Sequence, residues 1–174
     1  MVAVGTKAGR RPRQAPLTVG WREWVALPTL GLPAVKAKVD TGARTSALHA
    51  FYVDAYEVGG LHRVRFGIHP LQARKDIVVD CAADIVDFRQ VTDSGGHREM
   101  RYVIAAPITV GDMTWPAEIT LTNRDDMMFR LLIGRTAMQG RLVVDPRRSY
   151  VLGAIPADVY PHRRRAPTRA RSRA

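Results

Sequence analysis

The sequence predicts an all-β protein, a closed β-barrel with one short C-terminal helix. Three observations predict it. Apolar and polar residues alternate over many short stretches, turn signals separate those stretches at regular intervals, and helical spacing of apolar residues is almost absent.

The elements follow in order. Val19 to Leu27 alternates as a first strand, and Pro28 ends it. Gly31-Leu32-Pro33 is a tight turn into the stretch Val35 to Ala50, VKAKVDTGARTSALHA. Here Val35, Ala37 and Val39 make one apolar face against Lys36 and Lys38. Thr45 to Ala50 leads into an alternating strand, Phe51 to Val58, and Gly59-Gly60 turns it into His62 to Ile68. Residues 69–80 offer one short apolar run, Ile77-Val78-Val79. Asp84 to Thr92 and Glu99 to Ala105 form a hairpin around Asp93-Ser94-Gly95-Gly96-His97. Ile108 to Val110 and Trp115 to Thr122 flank Gly111-Asp112. Leu131 to Ile133 reads as a short buried strand, and Arg135 to Gln139 as the helix, stopped by Gly140. Leu142 to Val144 and Tyr150 to Leu152 form a last hairpin around Asp145-Pro146.

The 174 residues suffice for one domain with a real core, placed at residues 17–160. The net charge of +11 sits in the ends: residues 1–16 hold four Lys or Arg and no acid, and residues 161–174 hold six Arg and no acid. The 17 basic residues that remain face 16 acids, so the domain is near neutral. Both ends mix Pro, Ala and Arg without periodicity and read as disordered, solubilising tails. Nucleic acid enters as a partner only through them. No apolar run is long enough to cross a membrane, and residues 1–16 lack a signal-peptide core, so a cytoplasmic address is expected. A lone Cys81 excludes an internal disulfide.

The chemistry concentrates where the central strand delivers Asp40 into Thr41-Gly42-Ala43. Gly42 can take a turn closed to other residues and lets another backbone approach closely. A strand-end carboxylate followed by a hydroxyl and a glycine holds an acid rigidly in a cleft. Asp-Thr-Gly-Ala after an apolar strand resembles the active-site loop of retropepsin-type aspartic proteases. Leu131-Leu132-Ile133-Gly134-Arg135 resembles the apolar-apolar-Gly-Arg run that retropepsins carry before a short helix, threading beside the catalytic loop and shielding its carboxylate.

The likeness extends over HRVRFGIHP, DSGGHREMRYVI, AEITLTNRDDMMFRLLIGR and RLVVDPRRSYVLG. Together these resemble a retropepsin-like bacterial family labelled ATP-dependent zinc protease, associated with ATP-grasp ligases that add glutamate. The residues do not support the label: no His-Glu-x-x-His occurs among the five histidines, and no Gly-x-x-x-x-Gly-Lys-Ser/Thr loop occurs. No metal or other cofactor is therefore expected.

The resemblance implies an aspartic endopeptidase in which two copies of Asp40 meet in a homodimer. Asp40, Thr41 and Gly42 form the catalytic set, with Thr41 bracing the loop and Gly42 offering backbone groups to substrate. Ala43, Ser94, Gly95, Gly96 and Arg101 form the substrate-binding set, with the Ser94 to Gly96 hairpin as a closing flap. Ile133, Gly134 and Arg135 support the site. If Arg101 faces the cleft it holds a substrate carboxylate, which suits a glutamate-rich or glutamylated peptide. Alternating arginines are also ordinary solvated surface, the favoured reading for Arg98, and His49 reads as a structural histidine.

Three points stay open. Asp93-Ser94-Gly95 offers a rival second acid within one chain. Arg44 stands where retropepsins often place an acid to pair with the Gly-Arg arginine, so Arg135 needs another partner or the dimer differs. A non-catalytic module of the same barrel, recognising acidic chains, is the alternative to a peptidase.

Overall fold

The computed structural model describes residues 15–72, 74–93, 95–123, 128–155 and 158–160. The expected tails lie outside these apart from residues 15 and 16, as do Ser94, Arg124, Asp125 and Asp126.

Among the described residues, regular structure is almost all strand. β1 (Leu17–Gly20) and β2 (Arg22–Leu27) replace the single expected first strand. The break falls at Trp21, just after Gly20, where a Cβ on Gly20 would lie 2.5 Å from the Arg148 carbonyl oxygen. There the chain leaves one sheet for another: β1 pairs in parallel with β11 (Leu142–Asp145), while β2 pairs antiparallel with β3 (Leu32–Val39). Leu32 and Pro33 thus belong to β3, and Gly31, at φ 67, makes the turn after a 3-10 turn at Pro28–Leu30.

β4 (Ser46–His49) is buried throughout and pairs in parallel with β9 (Met113–Thr122). β5 (Tyr52–Val58) and β6 (Leu61–Ile68) form the expected hairpin, with Gly59 and Gly60 both at positive φ. β7 (Val79–Thr92) and β8 (Arg98–Val110) are longer than their alternation indicates. β8 runs through Pro107 because that residue faces Pro116, where neither strand asks the other for an N–H. β10 (Leu131–Ile133) lies between β3 and β4, and α1 (Arg135–Met138) follows it.

The main sheet runs β2-β3-β10-β4-β9-β8-β7-β6-β5. One further bridge, Ala26 to Thr109, joins β2 back to β8. The expected closed barrel is thus a ring of strands returning at a single bridge, with β7, β6 and β5 carried beyond it. The core is continuous and aliphatic, built on Leu27, Leu32, Leu48, Ile104, Ile108, Ile119, Leu131 and Ile133, and Phe66 and Ile68 extend it under β6. Trp115 Nε1 donates to the Ala137 carbonyl at 2.9 Å and fixes α1 against β9.

The expected last hairpin does not form. The Tyr150 amide donates to the Arg22 carbonyl, the amides of Val151 and Leu152 go to Glu23, and β11 takes β1 as its partner.

Candidate active site

The central strand behaves as its alternation dictates. Val35, Ala37 and Val39 are buried, and Lys36 and Lys38 lie on the half-exposed face. Asp40 leaves β3 on that same face.

The loop that follows closes on its own acid. Asp40 Oδ1 accepts from the amides of Gly42 at 3.0 Å and Ala43 at 3.2 Å. Lys38 Nζ donates to Oδ2 at 3.3 Å. Gly42 does not use the left-handed region. Its need is for space, because a Cβ there would stand 3.2 Å from Asp40 Oδ1.

The Leu-Leu-Ile-Gly-Arg run holds this loop from behind, largely through backbone. The Asp40 amide donates to the Ile133 carbonyl at 2.9 Å, the Arg135 amide to Ala43 at 2.9 Å, and the Thr136 amide to Arg44 at 3.1 Å. Gly134 permits the approach: a Cβ would fall 2.5 Å from the Thr45 carbonyl carbon and 2.8 Å from the Arg44 oxygen. Its amide donates to Ser46 Oγ at 3.2 Å. Arg135 Nη1 donates to the carbonyls of Thr41 and Gly42, each at 2.8 Å. Arg135 therefore has its other partner, inside the loop itself. Thr41 and Gly42 are exposed, and the Asp40 side chain is 23% exposed.

Asp40, Thr41, Gly42, Ala43, Ile133, Gly134 and Arg135 form one hydrogen-bonded unit. Among the described residues, no hydrogen bond or ion pair joins Gly95, Gly96 or Arg101 to it. Gly95 and Gly96 shape the tip of the β7–β8 hairpin, with Gly96 at φ 83. Asp93 works within that turn, its Oδ1 accepting from the amides of Gly95 at 2.8 Å and His97 at 3.0 Å. Arg101 is 7% exposed, and its Nε donates to Glu99 Oε2 at 2.7 Å, an oxygen Thr122 Oγ1 also reaches at 3.4 Å. It is an internally paired arginine in this chain. His49 is buried on β4, its amide donating to Arg130. Arg98 and His97 are exposed. Among the described residues, no three or more His, Cys, Asp or Glu are grouped as metal ligands. No helix among them is long and apolar enough to cross a membrane.

Two features escaped the sequence reading. Glu23 is completely buried, and its carboxylate accepts from the amides of Gly20 at 2.7 Å, Val151 at 2.8 Å and Leu152 at 3.3 Å. A cavity of about 530 Å³ also opens beside the β7 bulge, lined in part by Tyr56, Ile85, Phe88 and Tyr102. No residue of the Asp40 loop lines it.

Comparison with known proteins places these motifs in context. The model of a family described as RimB-like, retropepsin-like aspartic endopeptidase RimB, matches residues 18–154. A Shewanella pealeana protein named "Probable alpha-L-glutamate ligase" is 46% identical over 135 residues, covering 78% of this chain and 30% of that protein. A Parasynechococcus marenigrum protein of the same name is 44% identical over 142 residues, covering 82% of this chain and 30% of its own length. The chain thus spans less than a third of these curated relatives. A solved structure from Legionella pneumophila, Lpg0085 of unknown function, superposes with a TM-score of 0.64 at 27% identity. The match covers 78% of this chain and 97% of that one.

Proposed function

From the premise that the chain belongs to the RimB-like family of retropepsin-like aspartic endopeptidases, we propose that it hydrolyses peptide bonds between two Asp40 carboxylates of a homodimer. The observation that carries this reading is the immobilised Asp40 loop. Its acid is held by two amides of its own turn, its carbonyls are gripped by Arg135, and Thr41 and Gly42 stay exposed where a second copy would meet them. In this reading the strand ring serves as the closed barrel of a retropepsin subunit.

Two carboxylates about 3 Å apart cannot both ionise, so the pair shares one proton across a water. One Asp40 takes a proton from the water as its oxygen attacks the scissile carbonyl carbon. The other gives its proton to the carbonyl oxygen. Collapse of the tetrahedral intermediate then breaks the C–N bond: the first Asp40 gives the water's proton to the leaving nitrogen, and the second takes back the hydroxyl proton as the carbonyl re-forms. Asp93 is spent on its own turn, which supports two-chain assembly over a one-chain dyad.

The company the domain keeps supports one substrate class. Relatives named as glutamate ligases carry this stretch as 30% of their length. A hydrolase joined to an enzyme that adds glutamate fits a glutamate-rich or glutamylated chain.

Incubation with oligoglutamate and mixed peptide libraries, read by mass spectrometry, tests the reading. Cleavage is expected in the wild type and absent in Asp40→Asn, which keeps its fold and its dimeric sedimentation. Cleavage that survives Asp40→Asn would remove the dyad. Binding without cleavage by either protein would favour a recognition module.

A further inference from the structure

The face of β3 that carries Asp40 also carries a row of cations. Side chains alternate along a strand, so Lys36, Lys38 and Asp40 share one side. Register brings Arg22 opposite Lys38 and Trp24 opposite Lys36. Lys38 touches Asp40 at 3.3 Å and remains 45% exposed. Tyr150 stands among the rest. Its ring centroid is 5.0 Å from the Arg22 guanidinium and 5.8 Å from Lys36 Nζ, and Trp24 stacks on it at 6.0 Å. Among the described residues no acid is paired with Arg22 or Lys36. Tyr150 is held at φ 52, the one non-glycine residue at positive φ among those described. Backbone strain of this kind concentrates where a side chain must be held for function.

We propose that Lys38, Arg22 and Lys36 form a carboxylate-reading track for an extended acidic peptide leading away from the Asp40 loop. Three arguments carry it. The track begins at Asp40 and shares its face. Residues two apart on a strand are separated by about 7 Å, the interval between every second side chain of an extended peptide, so Lys36 and Lys38 match alternate carboxylates. The charge is complementary, because three cations stand against one carboxylate, whose Oδ1 its own loop satisfies and whose Oδ2 meets only Lys38 among the described residues. The aromatic rings lend the cations a rigid seat without neutralising them. The catalytic consequence, a preference for cleaving acidic chains, rests on the peptidase reading; the binding does not.

The test measures binding alone. A fluorescein-labelled oligoglutamate is titrated by anisotropy into full-length Asp40→Asn protein, with and without Lys36→Glu and Lys38→Glu together. The double change is expected to weaken binding roughly tenfold or more, and binding should fade with added salt. A Lys36→Met, Lys38→Met pair, which leaves the strand's packing closer to native, should move affinity in the same direction by less. Matched thermal midpoints exclude unfolding as the cause. Equal affinity across all three proteins would overturn the track. So would a ribo-oligonucleotide of equal charge that binds the parent more tightly and is the ligand lost. If the double change abolishes oligoglutamate binding while the protein with Asp40 intact cleaves nothing, the track stands and the peptidase falls. If cleavage depends on Asp40 while oligoglutamate binding ignores the lysines, the reverse holds.

Discussion

Arg135 grips Gly42 by its carbonyl oxygen at 2.8 Å, and the same Nη1 reaches Thr41 at equal distance. One planar cation thereby fixes two successive peptide units beside Asp40. The bond reaches backbone, so neither Arg44 nor any acid is needed to complete it.

This grip predicts what Arg135→Met and Arg135→Lys do. The side chain is exposed, so stability should change by less than about 1 kcal/mol in urea denaturation. Loss of loop position should lower kcat/KM on a cleavable peptide by roughly ten- to a hundredfold. Lys should rescue poorly, because its shorter, flexible stem does not hold an ammonium where the planar guanidinium places Nη1. Full activity in either variant would reduce the grip to decoration.

Gly134→Ala isolates the opposite effect. The new methyl would sit 2.5 Å from backbone carbon at Thr45, which cannot swing aside as a side chain does. A cost of about 2–4 kcal/mol is expected from forced backbone displacement, read as a lower urea midpoint. A variant as stable as the parent would show that the loop has room the geometry denies.

How legible was this in the sequence? Asp40 to Ala43 and Ile133 to Arg135 were readable because glycine and an apolar strand impose their own backbone geometry. The partner of Arg135 was not, since charge pattern reveals nothing about hydrogen bonds to carbonyls. Arg101 looked available, yet Glu99 lies two residues away on the same face of β8 and takes it. The pairing of β1 with β11 joins the two ends of the domain, and no local turn signals it. Glu23 did leave a trace. It alternates with Val25 and Leu27, which places it inward, but an inward acid declares its role only once its donors are known.

Glu23 should accordingly matter more than any exposed acid. Glu23→Ala strands three amides, one buried and two part-buried, which predicts a loss of about 3 kcal/mol. Glu23→Gln keeps one acceptor but turns an NH2 toward donors, so an intermediate loss is expected. Because the carboxylate anchors the turn that presents Tyr150, both changes should also weaken oligoglutamate binding. Urea midpoints and the anisotropy titration check the two effects separately. A loss below about 0.5 kcal/mol for Glu23→Ala, the range of ordinary surface changes, would contradict the account.

Alkaline pH tests the packing around β3. Tyr160 Oη donates to the Ala34 carbonyl at 2.6 Å, and burial pushes its hydroxyl up to about 12 from an ordinary 10.0. Burial pushes the Cys81 thiol up to about 12 from 9.0, with nearby Asp80 adding to the rise. In both, the fold favours the protonated, neutral form. The unfolded chain therefore sheds these protons first, and the folded state holds more protons than the unfolded one across that interval. The stability they contribute is complete below about pH 9 and is lost as pH climbs toward 12. Urea midpoints measured upward from neutral pH should fall across this window, and the fall should shrink in a Cys81→Ala, Tyr160→Phe variant. The folded protein should also resist thiol reagents at mildly alkaline pH and react once unfolded. A flat midpoint, or a decline the double variant leaves unchanged, would show that neither group carries the linkage.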